Sequence, residues 1–215
     1  MTSLIIGAGA GLSAALARKL APRGPVHLVA RGDRMDAVAE ETGAVTHRAD
    51  ATDAAAIQGI IANLEELDVA IYNPSARVRG PVAELDPAEV RRAIEVTAFG
   101  AFLMGQAAAQ KMSRRGKGTI LFTGASAGVK GFPNSAPFAM GKFAQRGLAQ
   151  SMARELHPKG IHVAWINIDG AIATEPGNDA QLSPDAIADS YLHLIDQPPS
   201  AWSNELTLRP AAERF

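Results

Sequence analysis

The chain has 215 residues, 47% of them hydrophobic, with 21 lysines and arginines against 22 aspartates and glutamates for a formal net charge of −1. That supplies a core for one domain and excludes a nucleic-acid binder or membrane-surface protein working through bulk positive charge. The absence of cysteine removes disulfide scaffolds, thiolate zinc sites and thiol catalysis together.

Residues 1–17 carry no charged side chain, but they lack the basic start of a signal peptide and are interrupted by glycines. They read as a strand, a turn and the beginning of a helix, and the expectation is a soluble, cytoplasmic protein. Short apolar runs follow at Ser3–Ile6, Val26–Ala30, Val45–Arg48, Val69–Tyr72, Thr119–Thr123, His162–Ile168 and Glu205–Leu208. Between them lie helical patterns at about 11–22, 33–42, 53–66, 86–114, 134–156 and 184–196. Strands separated by helices of this length imply βαβ units with right-handed crossovers, hence a parallel seven-stranded sheet covered on both faces. Asp86-Pro87 and Ser183-Pro184 are helix starts, each a capping side chain followed by a first-turn proline. No linker or repeat divides the chain, so residues 1–215 are expected to form one α/β domain, a doubly wound Rossmann fold.

The first strand runs into Gly7-Ala8-Gly9-Ala10-Gly11-Leu12, where a helix begins. Glycines there allow a tight turn and let backbone N–H groups approach a pyrophosphate at the helix N-terminus. The second strand ends at Ala30, followed by Arg31. An acid at that tip would accept the ribose 2′-hydroxyl of NAD; an arginine instead suits a 2′-phosphate, so NADP(H) is favoured over NAD(H).

With these landmarks the chain resembles the short-chain dehydrogenase/reductase family from about residue 3 to 208. The family's TGxxxGxG turn appears as Ile6 to Ser13, keeping Gly7 and Gly11 but with Ile6 for the threonine and Ser13 for the last glycine. The adenine-contacting aspartate corresponds to Asp50, followed by Ala51. The NNAG motif corresponds to Tyr72-Asn73-Pro74-Ser75, in which only Asn73 is kept, and the PG…T segment to Asp169-Gly170…Thr174. The resemblance thus implies a coenzyme site at Gly7, Gly9, Gly11, Leu12, Arg31, Asp50, Ala51, Asn73, Lys142, Gly170 and Thr174.

The same resemblance puts the catalytic tetrad in doubt. The family's YxxxK stands here as Phe138-Ala139-Met140-Gly141-Lys142, its serine falls on Ala125 and its helix asparagine on Thr97. A hydride delivered to a carbonyl leaves an alkoxide that must receive a proton, and phenylalanine has none to give. Lys142 survives, and Ser126 beside Ala125 carries a hydroxyl. Lys142, Ser126 and Thr97 are therefore the candidate catalytic residues, with Tyr72 and Asp169 as further proton sources. The leading expectation is an NADP(H)-dependent oxidoreductase acting on a carbonyl or secondary alcohol through a non-standard proton donor. A catalytically inactive NADP(H)-binding sensor, scaffold or partner subunit is the rival, and a domain that binds no nucleotide the third reading.

The five histidines have no zinc-ligand spacing, so no metal site is expected. There is no GxSxG elbow and no GK[ST] after the glycine turn, which excludes two hydrolase classes. The short segment at 175–183 would leave the site open or completed by a neighbouring subunit. Family resemblance also implies a small-molecule partner and a homodimer or homotetramer packed through the helices at 86–114 and 134–156.

Overall fold

The computed structural model describes residues 1–173 and 180–212. Thr174 and most of the short segment after it therefore lie outside the described residues. Seven strands form one parallel sheet: β1 (Ser3–Ile6), β2 (Val26–Ala30), β3 (Val45–Arg48), β4 (Val69–Tyr72), β5 (Gly118–Thr123), β6 (Ile161–Ile168) and β7 (Glu205–Leu208). Their order across the sheet is β3-β2-β1-β4-β5-β6-β7. The helices are α1 (Leu12–Leu20), α2 (Asp36–Thr42), α3 (Ala54–Asn63), α4 (Pro87–Ile94), α5 (Gly100–Ser113), α6 (Ala136–Leu156) and α7 (Pro184–Asp196).

The central strands are continuous apolar runs because both their faces are covered. Alternate side chains divide between two cores. Leu4, Ile6, Tyr72, Ile120, Phe122 and Trp165 pack toward α3, α5 and α6. Ile5, Ile71, Leu121, Ala164 and Ile166 pack toward α1 and α7. Helix starts follow local chemistry: Asp53 and Asp86 accept from Ala56 N (3.0 Å) and Ala88 N (2.9 Å).

The chain winds outward from β1 through β2 to β3, then returns to add β4 on the other side of β1. This reversal leaves a crevice at the C-terminal ends of β1 and β4, where ligands bind in open α/β sheets. The strands match the sequence expectation except that β5 and β6 each begin one residue earlier.

The single helix expected over 86–114 is instead α4 and α5 joined by a π-helical turn at Glu95–Phe99. The physical reason lies outside the helix. Tyr72 Oη donates to Val96 O at 2.5 Å and Gln145 Nε2 donates to Thr97 O at 3.3 Å, so two carbonyls serve side chains from other elements. Gly100 follows directly, where an added Cβ would collide with the Tyr72 hydroxyl.

Candidate coenzyme and substrate site

Two hollows meet at the C-terminal edge of the sheet, sharing Asn73 and Ser75 as a common wall. The first, about 590 Å³, runs from the glycine turn along the ends of β1, β2 and β4 to Arg31, Arg34, Asp50 and Ala51. The second, about 980 Å³, lies between the ends of β5 and β6 and the start of α6.

The glycine turn is held by backbone and by one serine. Gly7 N and Ala8 N donate to Val29 O at 2.9 and 3.1 Å. Gly7 adopts φ +85°, and a Cβ there would lie 2.8 Å from the Pro74 ring, so only glycine fits. Buried Ser13 donates to Gly7 O (2.9 Å) and accepts from Asn73 Nδ2 (2.7 Å), tying the turn to the end of β4. What the sequence presents as a lost glycine is thus a hydrogen-bonded clasp.

Around Gly9 and Gly11 the space is open, with no atom within 4 Å of an added Cβ. Helix α1 starts at Leu12 with no side-chain cap and no acid in its first turn. Unsatisfied N–H groups and the positive end of a helix dipole facing open space fit a diphosphate.

At the far end of this cleft Asp50 accepts from Thr52 N (2.9 Å) and Thr52 Oγ1 (2.8 Å), and Arg31 lies 3.7 Å away. Burial alone would raise the Asp50 carboxyl, but the Thr52 hydrogen bonds and Arg31 outweigh it and hold it below the ordinary carboxylate range. Arg31 is largely exposed at the cleft mouth, near Arg34. Arg31, Arg34 and Asp50 thus place two cations and one carboxylate at this end of the cleft.

In the second hollow, Ala125, Ala127 and Phe138 form an apolar cluster where the family resemblance puts hydroxyls. Phe138 carries the Arg77 guanidinium over its ring at 4.4 Å. Lys142, one helical turn on and 2% exposed, reaches the wall of the same cavity. Its ammonium donates to Thr123 O (2.5 Å) and Gln145 Oε1 (3.4 Å) and pairs with no carboxylate among the described residues. Burial, with Arg77 nearby, lowers its pKa from 10.5 to about 7.

Ser126 lies on the cavity wall and hydrogen-bonds the Asp169 carboxylate. Asp169 also accepts from Arg209 Nε at 2.8 Å. Burial alone would raise this carboxyl; Ser126 and Arg209 reverse the effect and keep it ionised. Thr97 is fully buried and does not line either hollow: its hydroxyl accepts from Ala76 N at 3.1 Å and holds the loop after β4. Tyr72 is likewise buried, its phenol pushed above its ordinary pKa mainly by burial and committed to Val96 O. Neither Tyr72 nor Asp169 is placed to release a proton at neutral pH. Gly170 lines the cavity, and Thr174 lies outside the described residues.

Sequence reasoning missed the cavity's other cations, Arg77, Arg79 and Lys130. Their only signal is the pair of arginines in Ser75-Ala76-Arg77-Val78-Arg79, just after the Asn73 motif. Among the described residues no cluster of metal-ligating side chains is present, and no helix is long and apolar enough to cross a membrane.

A model of the short chain dehydrogenase family matches residues 2–182. Cis-4-hydroxycyclohexanecarboxylate dehydrogenase of Sinomonas cyclohexanicum is 33% identical over 172 residues, covering 75% of this chain and 69% of that enzyme. Human 17-beta-hydroxysteroid dehydrogenase type 1 is 32% identical over 123 residues, 57% of this chain but only 37% of its own length. Among solved structures, a short-chain dehydrogenase from Rhodopseudomonas palustris superimposes with a TM-score of 0.87 at 34% identity, covering 97% of this chain and 98% of the other. A metagenomic short-chain oxidoreductase in complex with NADP gives a TM-score of 0.87 at 28% identity over 98% and 97% of the two chains.

Proposed function

Because this chain belongs to the short-chain dehydrogenase/reductase family, we propose that it is an NADP(H)-dependent oxidoreductase that interconverts a carbonyl and a secondary alcohol with Lys142 as its proton donor. The observation that carries the reading is Lys142 itself. A buried ammonium with no carboxylate partner costs stability and would be selected against in a purely structural position. Here it lies on the wall of a cavity adjoining a cleft that fits a dinucleotide.

Bound NADPH would supply the hydride to the carbonyl carbon. The chain's own residues then have separate tasks. The glycine turn and the start of α1 hold the diphosphate, and Arg31 with Arg34 holds the 2′-phosphate. Lys142, its proton affinity lowered toward neutrality, gives a proton to the carbonyl oxygen in reduction and takes it back in oxidation. Ser126, its hydroxyl hydrogen committed to Asp169, keeps lone pairs that accept from the alcohol and orient it. The NADP complex of a relative supports the choice of coenzyme.

The apolar Ala125–Phe138 patch favours one rival, a coenzyme-binding protein without turnover. Titrating the protein with NADPH and NADH by nicotinamide fluorescence, then assaying carbonyls and alcohols against a Lys142→Met control, separates the two. Coenzyme binding without any turnover selects the rival, turnover that survives Lys142→Met removes Lys142 from the donor role, and binding of neither coenzyme sinks both.

We also propose a homodimer or homotetramer, supported by the exposed Phe99 of the π-helical turn, Phe102 of α5, and Met140 and Phe143 of α6, which light scattering will test. An NADP(H)-linked reaction in a chain without cysteine suits the cytoplasm, which fractionation will test.

A further inference from the structure

The larger cavity is strongly positive. Arg77, Arg79, Lys130 and Lys142 all line it. None of the four forms an ion pair among the described residues. The acid on its wall, Asp169, is already bound by Arg209 and Ser126. A diphosphate does not account for this charge, since the glycine turn that fits it is on the wall of the other hollow. If Lys142 serves proton transfer, three cations remain without a carboxylate in ion-pair contact among the described residues, although Lys130 also acts on Asp169 from a distance.

Arg77 and Arg79 stand two residues apart on the loop after β4; burial first and the like charge of Arg79 second disfavour the Arg77 cation, and a bound anion would offset both. The Arg77 guanidinium also lies over the Phe138 ring, 4.4 Å from its centroid, at the position where the family resemblance puts the proton-donating tyrosine. A guanidinium there offers paired N–H donors, the geometry that matches a carboxylate or phosphate.

We propose that the substrate carries an anionic group, a carboxylate or a phosphate, close to the carbonyl or alcohol being converted, and that Arg77 binds it with Arg79 and Lys130. This rests on the oxidoreductase reading above. It adds that the cavity selects by charge: the anion anchors one end of the substrate, so that the reacting carbon is presented to the hydride. Arg77 is then the specificity-determining residue, and Phe138, at the family's tyrosine position, is its stacking partner.

The test sets anionic carbonyl compounds (2-oxobutyrate, acetoacetate, 4-oxopentanoate and dihydroxyacetone phosphate) against the neutral butanone and dihydroxyacetone, all with saturating NADPH. The carboxylate and phosphate arms identify which anion is preferred. The expected result is a kcat/KM about 10–100-fold higher for an anionic compound than for its neutral counterpart. Arg77→Met should erase most of that difference, lowering kcat/KM for the anionic compounds, through KM, far more than for the neutral ones. Lys130→Met should give a smaller effect in the same direction; both side chains are exposed, so neither change threatens folding. Equal or better turnover of the neutral compounds would overturn this proposal and leave the oxidoreductase reading standing. With no turnover of any compound, the melting temperature of the NADPH-bound protein decides. A rise with acetate or phosphate that Arg77→Met abolishes supports the anion site; its absence overturns it. The same melting test without coenzyme decides the matter if NADPH does not bind, an outcome that removes the oxidoreductase reading on separate grounds.

Discussion

The coenzyme cleft and the substrate cavity share a wall at Asn73 and Ser75, yet they are built from different material. The cleft is mostly backbone: a glycine turn, an uncapped helix start and strand ends. Replacing a glycine there by Ser13 costs nothing, because the hydroxyl finds one acceptor and one donor already present. The cavity is side-chain chemistry, and two replaced positions, Ala125 and Phe138, turn a polar wall apolar while Arg77 adds charge beside it. Backbone geometry survives substitutions that leave its hydrogen bonds intact. Side-chain chemistry changes with the first atom exchanged, so one family frame holds a backbone-built cleft beside a cavity of altered side chains.

The sharpest way to break this comparison is Lys142→Met. If the cavity runs proton chemistry, turnover at saturating NADPH should fall by about 10³-fold, as expected for losing a general acid. The stability of the coenzyme-free protein should rise at pH 7, by about 1–4 kcal/mol, since a buried ammonium without a carboxylate partner gives way to an apolar chain of similar shape. The sign follows from the proton count. The folded-state pKa of about 7 lies below the ordinary 10.5, so the unfolded chain binds the extra proton between those values. Stability of the parent protein therefore rises with pH from about 7 toward 10.5, and the Met variant lacks that increment. Urea midpoints at pH 7 and pH 9 check it. In the active protein, kcat/KM for reduction should decline as pH rises through about 7 while oxidation gains, and a flat profile would remove Lys142 from the donor role.

Most of the frame was legible because it rests on local pattern. Runs such as Leu4-Ile5-Ile6 and Val69-Ala70-Ile71 are short, rich in β-branched residues and bounded by turn signals, which reads as strands buried on both faces, and Asp86-Pro87 announces its own helix. The interruption at Glu95–Phe99 was not legible, because its cause is Tyr72, more than twenty residues upstream, with Gln145 on another helix. Ser13 read as a weakened motif for the same reason: its donor is Asn73, sixty residues away. Thr97 and Ser126 were both named for their hydroxyls, but a sequence does not show which way a hydroxyl faces. One serves the Ala76 backbone inside the core and the other meets Asp169 at the cavity wall. Arg77 belongs to no motif and becomes visible only when Phe138 lies beneath it.

On the cleft side, Arg31→Ala tests whether the coenzyme choice is a matter of one cation. Its side chain is about two-thirds exposed, so screening limits its worth. NADPH binding should weaken by about tenfold and NADH binding by less than twofold, read by nicotinamide fluorescence. Equal weakening of both would mean that Arg31 acts through Asp50 and not through a 2′-phosphate.

Ser13→Ala is the mildest change and probes the claim that a backbone-built cleft tolerates substitution only while its hydrogen bonds are kept. Alanine fits the same space but leaves Gly7 O without the serine donor and Asn73 Nδ2 without its acceptor, both close to buried surface. The expected loss is about 1–2 kcal/mol in chemical denaturation. KM should rise in parallel for NADPH and NADH, because the turn serves the diphosphate common to both. Ser13→Gly should behave like alanine, although it recreates the residue that the family resemblance expects there. If glycine instead restored or exceeded the parent's stability, the clasp between the turn and β4 would be incidental, and the tolerance of the cleft would have to come from the backbone alone.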